Sequence, residues 1–172
     1  TNEYDINTEK KALEIVSEAL ESCVKDQLVA DVPIGAFLSG GVDSPLVCSF
    51  AKKMHSHLEV FSIGSDSQIH DESDRAKRFA DALELQQYLW KLNAKEVLHY
   101  WNEAIASLHE PLADFSILPT YLVSKLAKQN VTVALSGDGG DELFFGYERF
   151  WSIGKNAKYQ NLPLIVRKGL YG

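Results

Sequence analysis

The sequence predicts an α/β fold, a parallel twisted sheet of about four to five strands with helices on both faces. Three observations predict it. Short apolar or β-branched runs recur along the chain, each bounded by polar or turn-forming residues. Between them lie longer stretches whose apolar residues repeat at helical spacing. Strand and helix alternate, which implies right-handed βαβ units rather than hairpins.

The elements follow in order. From Glu9 to Val29, residues Ala12, Leu13, Val16, Ala19, Leu20, Cys23, Val24 and Leu28 form one apolar face of a helix, which Asp31-Val32-Pro33 ends. Ile34 to Leu38 reads as a buried strand. A helix follows through Met54, carried by Leu46, Val47, Phe50, Ala51 and Met54, with Pro45 suited to its first turn. Val60 to Ile63 predicts a second strand, and Gly64 to Gln68 a loop. A helix from Ser73 to Leu85 buries Ala76, Phe79, Ala80 and Leu83, and a third strand covers Gln87 to Leu92. Asn93 and Glu96 have the spacing of a capping box, opening a helix with Val97, Leu98, Trp101, Ala104, Ile105 and Leu108 as apolar members. After an interruption at His109 to Phe115, Ile117 to Gln129 is helical, with Pro119 in its first turn. Val131 to Leu135 is a fourth strand whose β-branched content suits a central position.

Function concentrates at the turn after the first strand, Ser39-Gly40-Gly41-Val42-Asp43-Ser44. A strand, a glycine turn and a helix bring several N–H groups together at a positive helix end, a seat for an anion. The adjacent glycines let backbone approach a phosphate closely. The Walker spacing and its lysine are absent, so this is a different phosphate loop. Asp43 points to a metal that bridges to the phosphates. The plainer reading is a tight turn with Ser44 or Asp43 capping the helix.

A second glycine-rich stretch, Ser136-Gly137-Asp138-Gly139-Gly140-Asp141-Glu142-Leu143-Phe144-Phe145-Gly146-Tyr147, follows the fourth strand. The first hexapeptide resembles the pyrophosphate loop of ATP-pyrophosphatase enzymes, and the second stretch resembles a signature of the asparagine synthetase domain. Phe61-Ser62-Ile63-Gly64, Asp71-Glu72-Ser73 and the run from Leu118 to Ala127 fit the same family in order, from about Asp31 to Phe150. The resemblance implies an adenine nucleotide alpha hydrolase-like, Rossmann-like sheet, with ATP and Mg²⁺ as cofactors. It places Leu38, Ser39, Gly40, Gly41, Asp43, Ser44, Ile63, Ser136 and Gly137 at the nucleotide, and Asp43 and Asp141 on the metal.

The implied reaction adenylates a carboxylate, aspartate in the commonest members, with release of pyrophosphate. Ammonia then displaces AMP to leave asparagine, and an acidic residue at the position of Asp138 takes a proton from the incoming amine. Many members carry glutamate there. A lysine that the family uses downstream is assigned to none of Lys155, Lys158 or Lys168. Pro45 replaces a small hydroxyl residue frequent after the first signature. Small-molecule substrates and a glutaminase domain or subunit are the implied partners, because no cysteine precedes Cys23 to release ammonia from glutamine. The domain expectation is a synthetase region over 1–154 and the start of a further helical region over 155–172, cut from a longer parent. Two other readings compete: amidation of a different carboxylate in a biosynthetic cluster, and a non-catalytic ATP-binding subunit.

Composition narrows the class. A net charge of −7 with no basic run disfavours a nucleic-acid backbone as partner. With no run of 18 apolar residues and no leader pattern, the expectation is a soluble, cytoplasmic protein without a membrane partner. Cys23 and Cys48 sit among apolar helical neighbours and are expected to be buried thiols. The five histidines show no ligand spacing and are expected at surface or satisfied positions.

Overall fold

A computed structural model describes the backbone of residues 8–66, 71–110, 112, 114 and 116–160, and side chains as far as 155 within those ranges. Its contacts divide the chain into two compact units, Thr1–Gly137 and Asp138–Gly172.

The first unit alternates strand and helix: α1 (Glu9–Gln27), β1 (Ile34–Phe37), α2 (Asp43–Met54), β2 (Glu59–Ser65), α3 (Ser73–Ala82), β3 (Gln86–Leu92), α4 (Ala94–Ala106), α5 (Ile117–Ala127) and β4 (Val133–Leu135). The strands form one sheet in the order β3-β2-β1-β4, and every pairing is parallel. The registers Ala36↔Val60 and Ala36↔Leu135 place Ala36 at the centre of the sheet. From β1 the chain steps to β2 and on to β3, then returns across the sheet to lay β4 on the other side of β1. The strand order therefore reverses between β1 and β4.

Period-two alternation assigns the faces. Ala36, Leu38 and Val60 join Val24 of α1, Cys48, Phe50 and Ala51 of α2, and Ala76 and Ala80 of α3 in one core. Phe37 and Phe61 point the other way, to Val123, Leu126 and Ala127 of α5. Ile63 joins Leu92, Ala104 of α4, and Leu118 and Leu122 of α5. Helices thus cover both faces. The Asn93 capping box forms as its spacing predicts: its side chain accepts from Lys95 N–H at 3.0 Å and Glu96 N–H at 3.1 Å, while Glu96 accepts from Asn93 N–H at 2.9 Å.

Four expectations need correction. Cys23 is exposed, because α1 packs through the single row Leu20, Val24 and Leu28, and position 23 falls beside that row. Leu13 lies on that row, two turns before Leu20, but is 63% exposed, since the part of the row packed into the core begins at Leu20. Cys48 is buried as expected, and loss of solvent pushes its thiol up to about 12, which keeps it an inert packing group. β4 is an edge strand among the described residues rather than a central one, and its β-branched Val133 is 39% exposed. His55, at the end of α2, has a buried Nδ1 without a hydrogen-bond partner among the described residues, so it is not satisfied. His70 and the apolar tail from Leu162 lie outside the described residues. No described helix is long and apolar enough to cross a membrane.

The second unit carries α6 (Gly140–Phe144) and α7 (Glu148–Gln160). Gly139 precedes α6 at φ +90°, a left-handed turn that glycine enters without strain.

Phe61 has no exposed surface and stacks on Tyr88 with ring centroids 5.4 Å apart, tying β2 to β3 beneath α5. Phe61→Ala is expected to lower unfolding free energy by about 3–5 kcal/mol, measured as a shift of the urea midpoint at unchanged slope.

Candidate functional site

In an open parallel sheet a ligand sits beyond the carboxyl ends of the strands, where strand order reverses. Here that place lies between β1 and β4, which lead into Ser39–Ser44 and into Ser136-Gly137. The turn after β1 is tied by its own hydroxyls. Ser39 N–H donates to Ser44 Oγ at 2.8 Å, the two hydroxyls lie 2.9 Å apart, and Gly41 N–H donates to Ser39 Oγ at 3.2 Å. Ser44 is therefore a brace of the loop. It is not the helix cap: Val42 holds that position, without any side-chain capping bond. The first turn of α2 thus presents its N–H groups uncapped, and Asp43 is the first residue of that turn.

Two glycines are required here by close approach. A Cβ on Gly137 would lie 2.6 Å from Ser44 N and 3.0 Å from Asp43 Cβ, so Gly137 passes directly against the start of α2. Any side chain there would plug the N–H groups that face it. A Cβ on Gly40 would lie 2.8 Å from Glu72 Cβ and 3.0 Å from Arg75 Cβ, so the loop rests on the start of α3. Hydrophobic patterning has no signal for Glu72 and Arg75 as loop neighbours, because the contact crosses from one βα turn to the next.

Leu38 and Ile63 occupy strand ends. Leu38 extends the β1 ladder, donating its N–H to Phe61 O at 2.9 Å, and its carbonyl accepts from Ser62 Oγ at 2.7 Å. Backbone groups of alternate residues in a strand face the same neighbour. The N–H and C=O of Ile63 accordingly face the β1 side, one step past the point where β1 turns away into the loop. Its side chain packs into the α4–α5 core.

Asp71 closes the loop between β2 and α3. Its Oδ1 accepts from Ser73 N–H at 3.0 Å and Ser65 N–H at 3.3 Å, its Oδ2 from Ser73 Oγ at 2.8 Å, and Lys91 Nζ stands 3.5 Å away. Partial burial pushes this carboxyl upward, but the bonds from Ser73 and Ser65 and the Lys91 charge outweigh it and hold it below the usual range.

In the second unit Asp138 is exposed and Asp141 lies in the first turn of α6, which has no side-chain cap. A Cβ on Gly146 would overlap the Asp141 carboxylate, so that carboxylate lies against Gly146. Tyr147 Oη donates to Glu142 Oε1 at 2.5 Å, and this bond holds Glu142 below the ordinary glutamate range.

A family model described as asparagine synthase matches residues 16–169. The chain belongs to the asparagine synthase family. Among curated proteins of similar sequence, asparagine synthetase [glutamine-hydrolyzing] 1 of Bacillus subtilis is 37% identical over 94% of this chain and 26% of its own length. A putative asparagine synthetase [glutamine-hydrolyzing] 2 of Methanocaldococcus jannaschii is 38% identical over 94% of this chain and 32% of its own. The chain thus spans between 26% and 32% of the length of these two relatives. Among solved structures, NMN synthetase from Francisella tularensis superposes with a TM-score of 0.54 at 18% identity, covering 78% of this chain and 58% of that one. U34-tRNA thiolase NcsA from Methanococcus maripaludis reaches 0.56 at 13% identity, covering 90% and 52%. At those identities the likeness speaks for the shared α/β fold alone. In this member of the asparagine synthase family both signature stretches sit where their sequence order predicts, after β1 and after β4.

Two outcomes are expected. Gly137→Ala places a methyl against Ser44 N–H and is expected to weaken binding of an adenine nucleotide by on the order of tenfold, checked by calorimetric titration. The Asp71 carboxyl is depressed in the folded chain, so its stabilising contribution is complete above about pH 4 and is lost as pH falls through its folded value. Asp71→Asn is therefore expected to lower stability at neutral pH and to flatten the fall in stability below about pH 4, followed by urea unfolding across pH.

Proposed function

We propose that this chain is the ATP-binding part of a ligase that activates aspartate and converts it to asparagine. What carries the reading is one juxtaposition: Gly137, at the end of β4, pressed against the uncapped first turn of α2 at the point where strand order reverses. That arrangement suits a polyphosphate, and family membership supplies the reaction class.

In the proposed reaction a carboxylate oxygen of aspartate attacks the α-phosphorus of ATP and the bond to the β-phosphate oxygen breaks, releasing pyrophosphate. Ammonia then attacks the acyl carbon of β-aspartyl-AMP and AMP leaves with the electron pair of the acyl–oxygen bond. Asp138 is proposed to take the proton shed by the ammonia nitrogen. Ser39, Gly40, Gly41 and the first turn of α2 would hold the departing pyrophosphate through N–H donors, which strengthen as charge develops on it. The Ser39 and Ser44 hydroxyls, bonded to each other in this structure, have the donors and acceptors to turn toward phosphate oxygens instead. Leu38, Ile63 and Ser136 are proposed to meet adenine and ribose through backbone groups.

Among the described residues no three histidine, cysteine or acidic side chains gather as a metal cage. Magnesium needs none, since it is held by one or two carboxylates together with phosphate oxygens and water. Asp43, which makes no ion pair among the described residues, fits such a ligand, and Asp141 is proposed as the other. When bound, Mg²⁺ would neutralise charge on the leaving pyrophosphate. Ammonia is proposed to come from a glutaminase domain or subunit.

Isotope exchange between pyrophosphate and ATP tests the reading. Aspartate-dependent exchange that needs Mg²⁺ is expected, with Asp43→Asn lowering it by roughly tenfold to a hundredfold. Exchange supported by a different carboxylate, and not by aspartate, would replace the substrate while keeping the chemistry. Nucleotide binding without exchange on any carboxylate would reduce the chain to a binding subunit.

A further inference from the structure

A buried polar chain runs behind the turn after β1, from Gln87 of β3 through Ser62 of β2 to Leu38. Ser62, only 1% exposed, lies in the middle of β2. Its hydroxyl donates to Leu38 O at 2.7 Å and accepts from Gln87 Nε2 of β3 at 2.8 Å. The hydroxyl's one donor and one of its two acceptor sites are thus used, and its proton is committed to Leu38. The Leu38 carbonyl and the Ser39 N–H belong to a single planar peptide unit whose two dipole ends point in opposite directions. The Ser39 N–H end is bound by Ser44 Oγ at 2.8 Å, and Ser44 is 8% exposed. Leu38 N–H, one peptide earlier, is held by Phe61 O at 2.9 Å. The peptide that joins β1 to the glycine turn is therefore pinned at both ends, once from the neighbouring strand and once from the helix that follows.

We infer that Ser62, backed by Gln87, is a positioning residue for the nucleotide, acting through the Leu38–Ser39 peptide to set the direction in which the Ser39-Gly40-Gly41 N–H groups leave the sheet. The inference rests on the nucleotide-binding reading above and extends it to one residue in β2 and one in β3. Without the Ser62 proton, the Leu38 carbonyl loses the side-chain bond that fixes it, and rotating this peptide becomes the way to recover one. Rotation turns Ser39 N–H off Ser44 Oγ and swings the glycines with it. Ser62 never touches the nucleotide in this account. Gln87 holds the hydroxyl rotor so that its proton stays on Leu38.

Amide hydrogen exchange and nucleotide titration, both on the whole chain, test this. In Ser62→Ala the Ser39 amide is expected to exchange about tenfold faster while the Leu38 amide, held in the β1–β2 ladder, keeps its protection. Affinity for a non-hydrolysable Mg²⁺–ATP analogue is expected to fall about fivefold to tenfold. Ser62→Thr, which keeps the hydroxyl and suits a strand, is expected to restore both readings, and Gln87→Leu to move both in the direction of Ser62→Ala by a smaller factor. A Ser62→Ala chain with a protected Leu38 amide, unchanged Ser39 exchange and unchanged affinity would overturn the inference. So would a loss of affinity accompanied by equal loss of Leu38 protection, since that reports sheet unfolding instead of a turned peptide. A wild-type chain that binds no nucleotide at all would overturn the proposed function itself. Wild-type binding with an indifferent Ser62→Ala would overturn the positioning role alone.

Discussion

Parallel pairing of β4 with β1, in the register Ile34↔Val133 through Ala36↔Leu135, is the constraint on which the rest of this molecule depends. Parallel strands begin and end at the same sheet edges, so this pairing delivers residues 38 and 137 to one edge although ninety-nine positions separate them in the chain. β2 and β3 lie on the opposite side of β1 and leave that edge open between β1 and β4. α2 starts directly from the turn that leaves β1. The consequence is a helix start, a glycine turn and a second glycine in contact, with Gly137 admitted only because it has no side chain.

The packing beneath that edge is arranged to keep it still. On one face Cys48, Phe50 and Ala51 anchor α2 against Ala36 and Val60; on the other, Phe61 lies under α5. Behind the loop stands the Gln87–Ser62–Leu38 chain of hydrogen bonds, and beside it Asp71 joins the end of β2 to the start of α3. The loop is held by bonds within it, Ser39 N–H to Ser44 Oγ and Gly41 N–H to Ser39 Oγ, and by the groups just before and after it.

Much of this was legible before any coordinates. Apolar periodicity located every strand and helix of the first unit to within a few residues, because an element buried on a face must repeat its apolar residues at its own period. The capping box at Asn93 was readable because both partners lie within one turn. Misreadings came where periodicity was wider than the packing surface. Cys23 and Leu13 share a helical face with Val24, yet α1 packs chiefly on α2 and buries only the later part of one row, Leu20, Val24 and Leu28. β4 looked central by composition, but strand composition reports burial and not order, and Val133 at the edge is partly open.

Taken alone, the sequence determined the succession of strands and helices, the two glycine-rich turns and the family they mark, because each depends on residues near one another in the chain. Tertiary structure alone decided the strand order, the contact of Gly137 with Ser44 N–H, the seating of Gly40 on Glu72 and Arg75, and the Ser62–Gln87 support behind Leu38. Those contacts join residues about 25 to 95 positions apart, and no local period carries them. They exist only once hydrophobic burial has chosen which strands become neighbours.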